Sequence, residues 1–365
     1  MPNGSSNVHV YSALKSKDVA RRTVSFRSGD EILVGEIVLP LDPGPYPAIL
    51  GVMGTGAQNR YGDIVLPDGE VLPHGRYPWI ANRLARAGIA SLYWDKRGVG
   101  QSTGGGRAPG DPPGERDSYT SVMTDVQDAE SALHFLKDQP EVDPERIAVM
   151  GRSAGVYFSC LLAARTDQPA AYILTGGVHM GIDEFMELIY ERVLAYAARG
   201  PEEEAWVQEH LSVFYGRARH YQEILAAARR DDDVYESREG DVVIRQYLTR
   251  LKQELEYPLH DQFRHLNKPV LICHGDQDVN VPVQEAYKIA QELQDAGHPD
   301  VTLVIVPGAD HSMRVAPAGL DDETRFREKF DYNYDYPFSE FFIHSVIGWT
   351  LDRFNTFQTF KGPDE

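Results

Sequence analysis

The chain has 365 residues, 36 of them basic and 55 acidic, for a formal net charge of −19, with 42% hydrophobic and 25% charged residues. That length and balance suit a globular protein with a large core, as one big domain or two. The acidic excess argues against nucleic acid or an anionic membrane as a partner. No run approaches the roughly 18 apolar residues of a membrane span, and the first twenty residues lack the apolar centre of a signal peptide, so a cytoplasmic location is expected. The two cysteines, Cys160 and Cys273, stand far apart in apolar runs and read as buried free thiols.

Residues 1–20 are polar and are expected to form a flexible N-terminal arm. Thr23–Phe26 and Ile32–Leu39, separated by Ser28-Gly29-Asp30, read as a β-hairpin. Ala48–Met53 is a third strand and runs into Gly54-Thr55-Gly56. An irregular insertion over 61–76 follows, then a helix from Pro78 to Ala87 that Gly88 stops. Ile89–Trp94 is a fourth strand, and the Gly- and Pro-rich residues 103–116 are a loop. Val122, Val126, Ala129, Leu133 and Leu136 keep the spacing of an amphipathic helix. Ile147–Met150 is a fifth strand, directly followed by Gly151-Arg152-Ser153-Ala154-Gly155 and an apolar helix.

Ala171–Thr175, Pro269–Cys273 and Val301–Val306 are the sixth to eighth strands, with a helix from about Val283 to Ala296 between the last two. Strands alternating with helices predict an α/β fold, a mainly parallel sheet covered on both faces. Residues 178–265 break that rhythm. Helical spacing in four stretches (Phe185–Tyr196, Val207–Phe214, Tyr221–Ala228, Ile244–Leu255) predicts about four helices. Their place directly after a strand end predicts a helical cap whose apolar residues line the site; an ordinary packed subdomain is the plainer alternative. Asp231-Asp232-Asp233 lacks the ligand spacing of a calcium loop and reads as a solvated turn. Residues 339–357 are expected to form a last helix.

Gly151–Gly155 fits G-x-S-x-G. Its glycines are required because a strand-to-helix turn this sharp leaves no room for side chains two residues either side of the Ser. A Ser hydroxyl becomes a useful nucleophile only when a base takes its proton, and a carboxylate then orients that base. Ligands of open α/β sheets bind at the carboxyl ends of strands. Two later loops qualify: His274-Gly275-Asp276-Gln277-Asp278 and Gly308-Ala309-Asp310-His311. The order Ser153, Asp278, His311 is that of α/β-hydrolases. Asp278, which has cleared its strand, is preferred to Asp276 as the partner of His311 Nδ1. Asp276 is assigned to the amides of its own loop, and Asp310 is too close to His311 in sequence to face it.

On these motifs, together with Tyr93-x-Asp95-x-Arg97-Gly98-x-Gly100-x-Ser102, the chain resembles the α/β-hydrolases and is similar to bacterial serine carboxylesterases and their peptidase-like relatives. The resemblance implies an eight-stranded sheet with a helical cap inserted after the sixth strand, leaving 21–177 and 266–365 as the core. It also implies an oxyanion hole from the amide of Ala154 and a second amide after the third strand, for which Gly54-Thr55-Gly56 followed by Arg60 nominates Thr55. Departures are Met53 where relatives carry His, and Val156 where a third Gly is frequent. Asp95 and Arg97 read as loop braces and His274 as a structural hydrogen-bonder. Arg152 and His179 either line the pocket or are an exposed Arg and a satisfied His.

No histidine pair has the H-E-x-x-H spacing of a zinc protease, and the G-x-G patterns at 54–56 and 98–100 lack a dinucleotide-site context. Neither a metal nor a cofactor is expected. The expected activity is hydrolysis of small-molecule esters with small or medium acyl groups. Amide, peptide or carbon–carbon bond cleavage by the same residues is the alternative, and a non-catalytic small-molecule binder the rival from another class. The sequence leaves homo-oligomerisation open.

Overall fold

The computed structural model describes residues 16–65, 71–72, 74–104, 121–239, 242–331 and 336–356. Most of the expected N-terminal arm and most of the 103–116 loop lie outside these residues. Strand β1 (Ala20–Ser28) pairs antiparallel with β2 (Glu31–Leu39), and β2 pairs antiparallel with the strand that follows the first helix. β3 (Tyr46–Val52) leads to a short hairpin of β4 (Ile64–Val65) and β5 (Val71–Leu72) within the stretch expected to be irregular. Next come α1 (Arg76–Arg86), β6 (Ala90–Trp94), α2 (Val122–Lys137), β7 (Val142–Arg152), α3 (Ala154–Ala163) and β8 (Ala171–Thr175).

Between β8 and the next sheet strand lie α4 (Ile182–Ala197), α5 (Pro201–Arg219), α6 (Tyr221–Arg229), β9 (Val234–Glu239), β10 (Val242–Tyr247), α7 (Thr249–Glu256) and the single turn α8 (Leu259–Gln262). The chain returns through β11 (Val270–Gly275), α9 (Gln284–Asp295), β12 (Val301–Val306), α10 (Asp322–Asp331) and α11 (Glu340–Thr356). The main sheet has the order β1-β2-β6-β3-β7-β8-β11-β12, parallel from β6 onward.

Period-two alternation divides the central strands between two cores. Leu50 and Val52 of β3, Leu92 and Trp94 of β6, and Ile147 and Val149 of β7 face α2, α3 and α9. Ile49, Tyr93, Ala148 and Met150 face α1 and α11 on the other side. Helix α2 shows why these segments are helical: Ser121 caps its start by accepting from Thr124 N at 3.1 Å, worth about 1 kcal/mol. Its apolar stripe, Val122, Val126, Ala129, Leu133 and Leu136, is fully buried. Each large aliphatic side chain so buried contributes about 1.5–3 kcal/mol.

Two expectations change. The fourth helix expected over Ile244–Leu255 is half strand: Val234–Glu239 and Val242–Tyr247 pair antiparallel, and helix begins only at Thr249. Helix α10, in the segment after β12, was not anticipated. It packs Phe326 against Tyr196 of α4, ring centroids 4.4 Å apart, so the 178–265 segment and the region after β12 share one small core. Cys160 and Cys273 are buried free thiols, as expected.

Candidate active site

The apolar run Ile147–Met150 carries β7 to the centre of the sheet, and the chain turns at once into α3. Ser153 sits at that turn with φ 53° and ψ −124°. A non-glycine residue in this region costs on the order of 1–3 kcal/mol and persists only where its surroundings over-determine it. Here they do: Ser153 N donates to Thr175 O at 2.9 Å, and Val156 N to Ser153 O at 2.9 Å. A Cβ on Gly155 would lie 2.1 Å from the Val52 carbonyl oxygen, and one on Gly151 2.4 Å from the Gly155 carbonyl oxygen. The glycines let α3 start against β3.

His311 follows β12 and Asp278 follows β11. His311 Nδ1 lies 2.7 Å from Asp278 Oδ2, and the Asp278 side chain is fully buried. The other oxygen, Oδ1, accepts from Asn280 N at 2.7 Å and Val281 N at 2.9 Å. Burial opposes ionisation of Asp278, but the His311 charge and the hydrogen bonds from His274 and His311 outweigh it and hold the carboxyl well below the usual carboxylate range. Burial likewise lowers His311; Asp278 works against this, while the Arg152 and Arg76 guanidiniums add to it, and the net shift is downward. The downward shift favours the neutral imidazole, which can accept a proton at Nε2 while Nδ1 faces Asp278.

The neighbouring residues take supporting places. His274 Nε2 lies 2.9 Å from Val281 O and 3.4 Å from Asp278 Oδ2. Asp276 does not turn into its own loop as expected; its Oδ1 accepts from Gly308 N at 2.8 Å and ties the two loops together. The amides of the acid loop go to Asp278 instead, because Asp276 sits where β12's loop is the nearer donor. Asp310 accepts from Ser312 N at 2.7 Å and Arg314 N at 2.8 Å, closing the turn that presents His311.

The loop after β3 runs beside the elbow. A Cβ on Gly54 would fall 3.0 Å from Ser153 Cβ and 3.6 Å from Ala154 N. Ala154 opens α3, so its amide is one of the first-turn donors with no intrahelical acceptor. Lys96 Nζ donates to Gly54 O at 2.6 Å, fixing the Gly54–Thr55 peptide from the side opposite the Thr55 N–H. Gln58 Nε2 holds Thr55 O at 2.6 Å. Asp95 accepts from Arg60 N at 2.8 Å, Arg60 Nη1 at 3.0 Å and Gln101 N at 2.9 Å. Arg97 pairs with Asp128, its Nη2 2.7 Å from Asp128 Oδ1, and donates to Ser28. Asp95 and Arg97 thus brace the loop.

Thr55, Ser153 and His311 line one cavity of about 350 Å³. Arg152 lines it too. His179 does not; it stacks on Phe263 at 6.0 Å and meets Glu292 Oε2 at 2.5 Å. Among the described residues, none from 178–265 lines this cavity; the far wall comes from Arg325 and Glu328 of α10 and from Tyr336. His74 and Arg76, from the start of α1, complete the near wall. Burial and the guanidiniums of Arg76, Arg314 and Arg152 hold the His74 imidazole well below its usual range. The sequence held a faint signal for α10: Arg325 and Glu328 are one helical turn apart beside Phe326. His74 and Arg76 sit at the end of an insertion with no periodicity and gave none.

Residues 61–315 match the family model described as Hydrolase_4, serine aminopeptidase S33. The thiohydrolase apmlB of Arthrinium phaeospermum is 34% identical over 91 residues, 25% of this chain and 26% of that protein. The thiohydrolase aneE of Aspergillus aculeatus is 34% identical over 76 residues, 21% of each chain. The matches thus span about a quarter of these curated relatives' length. Among solved structures, Est1E from Butyrivibrio proteoclasticus aligns with TM-score 0.52 at 14% identity, over 91% of this chain and 99% of that one. An esterase of Pyrococcus furiosus aligns with TM-score 0.53 at 17% identity, over 92% and 91%. At such identities the likeness is one of fold. The family match covers most of the chain, from the loop after β3 to the turn beyond His311: the protein belongs to the serine aminopeptidase S33 family of α/β-hydrolases.

Proposed function

We propose that this hydrolase cleaves carboxylic esters or thioesters of small or medium acyl groups through an acyl-enzyme on Ser153. One observation carries the reading: a Ser held at φ 53° shares a cavity with a His whose Nδ1 lies 2.7 Å from a buried carboxylate. In this mechanism Ser153 Oγ attacks the acyl carbon as His311 Nε2 takes its proton. The amides of Ala154 and Thr55 donate to the oxyanion; one such donor is worth about 2.7–4 kcal/mol. His311 passes the proton to the departing alcohol or thiol. A water then attacks the acyl-serine, giving a proton to His311, and the acid leaves as Ser153 regains its hydrogen. Asp278 stays ionised and steadies the imidazolium.

The ester half of the reading is supported by the esterases that share the fold, the thioester half by relatives named thiohydrolases. The family description favours a second reading, release of an N-terminal residue from a peptide by the same groups. Residues 178–265 are proposed as a cap: Arg192 of α4 donates to the Val279 carbonyl, next to Asp278. The size limit on the acyl group rests on the cavity, which lies at the small end for ligand sites. The test is labelling by a fluorophosphonate together with a panel of p-nitrophenyl esters, acyl thioesters and aminoacyl anilides. Wild-type protein is expected to be labelled and Ser153→Ala not, with hydrolysis falling by about six orders of magnitude in kcat. Retention of a tenth of the wild-type rate by Ser153→Ala ends the reading.

A further inference from the structure

The molecule carries a net −19, yet the wall around Ser153 is rich in guanidinium groups. Arg76, Arg152 and Arg325 all line the cavity. Arg152 Nη2 reaches only the His311 carbonyl oxygen, at 3.3 Å, and its Nε is buried with no hydrogen-bond partner among the described residues. No carboxylate pairs with Arg152 among those residues. Arg325 donates to the Leu320 carbonyl at 3.2 Å and to the Gln277 amide oxygen; Arg76 Nε donates to the Ser312 carbonyl at 3.3 Å.

Two carboxylates share the lining, and both are engaged. Asp310 accepts from the amides of its own turn, and Glu328 accepts from Tyr336 OH at 2.5 Å. The buried His74 Nδ1, also at this wall, has no hydrogen-bond partner among the described residues. A half-buried guanidinium such as that of Arg152 is poorly compensated where no counter-charge faces it. A planar N–H fork of this kind matches a carboxylate in two parallel hydrogen bonds.

We propose that the substrate of this site carries a carboxylate close to its scissile acyl group, received by Arg152 with Arg76 and Arg325 around it. The proposal rests on the serine-hydrolase reading for where the reacting carbonyl lies. It makes the enzyme one for anionic esters or thioesters, such as half-esters of dicarboxylic acids, rather than for neutral lipid-like esters.

Two matched pairs of probes test it: monoethyl adipate against its neutral isostere ethyl adipamate, and 4-acetoxybutanoate against its amide. The first pair puts the charge on the acyl side, the second on the alcohol side. Binding to Ser153→Ala protein is measured by calorimetry, and kcat/KM is measured on wild type. We expect at least a tenfold preference for the anion in one pair, in both measurements, shrinking to less than threefold in Arg152→Gln. Arg325→Gln provides a second reading on a surface-accessible helix. Equal binding of both members of both pairs overturns the proposal, even if wild type hydrolyses all four. A clear anion preference in Ser153→Ala with no hydrolysis by wild type upholds the anion site and removes the ester reading instead.

Discussion

In the proposed mechanism His311 is the base, and its surroundings disfavour its charged form. Burial and the cations of Arg152 and Arg76 push its pKa down, and Asp278 restores only part of that. A group that must be neutral to work loses activity as pH falls through its pKa. The acid limb of kcat/KM should therefore have its midpoint below the ordinary histidine value of about 6.5. Arg152→Gln removes one cation, so its midpoint should move up; a pH–rate profile of both proteins reads this directly, and an unchanged midpoint would contradict it. Asp278→Asn should cost about four orders of magnitude in kcat by leaving His311 in the wrong tautomer, whereas Asp276→Asn, which weakens only the bond to Gly308 N, should act mainly on thermal stability. Lys96 acts at one remove. Its ammonium on Gly54 O orients and polarises the peptide that carries the Thr55 amide. Lys96→Met should lower kcat with little change in KM, and steady-state kinetics separate the two.

Among elements, the loops that carry Asp278 and His311 pack closely. A Cβ on Gly275 would fall 2.1 Å from the Ala309 carbonyl oxygen, backbone that cannot yield cheaply. Gly275→Ala should destabilise the fold by about 1–3 kcal/mol and disturb the His311–Asp278 distance, so that thermal unfolding and kcat fall together. The hairpin β9–β10 shows where periodicity misleads. Ile244, Tyr247, Leu251 and Leu255 have helical spacing, but Ile244 is buried beside an exposed Val243, the alternation of a strand. Helix α10 escaped notice because much of its length is charged and its apolar contact, Phe326 on Tyr196, lies more than a hundred residues away in sequence.

At the scale of the whole molecule, a buried charge cluster joins three distant segments. Arg250 of α7 lies 3.0 Å from Asp125 of α2, and Asp125 lies 3.8 Å from Lys96 behind the loop after β6. All three are buried. The 178–265 segment is thereby anchored to the same group that holds the Gly54 carbonyl. Removing the shared anion takes a carboxylate from two buried cations at once and leaves Arg250 with Glu254, at 3.2 Å, so Asp125→Ala should cost about 3–5 kcal/mol, read by chemical denaturation. Arg250→Met together with Asp125→Leu should cost less than the single change, because it also removes one of the two cations that shared the lost carboxylate. No helix among the described residues is long and apolar enough to cross a membrane.

What the sequence determined by itself is local or pairwise repetitive: the strands from their apolar runs, the elbow from two glycines around Ser153, and the loops that hold Asp278 and His311 from their place after strands. Those features are set by backbone sterics and by periods of two and 3.6 residues, which a linear chain displays. The composition of the cavity was decided only by tertiary structure. Arg76 comes from the start of α1, Arg152 from the elbow, Arg325 from a helix beyond β12, and their convergence on Ser153 depends on how far each element travels before it turns. The same holds for the cavity lining expected from 178–265 and supplied instead by residues that include Arg325 and Glu328 of α10 and Tyr336. Which of two neighbouring segments faces a cleft is fixed by packing between them, and no residue of either one carries that information alone.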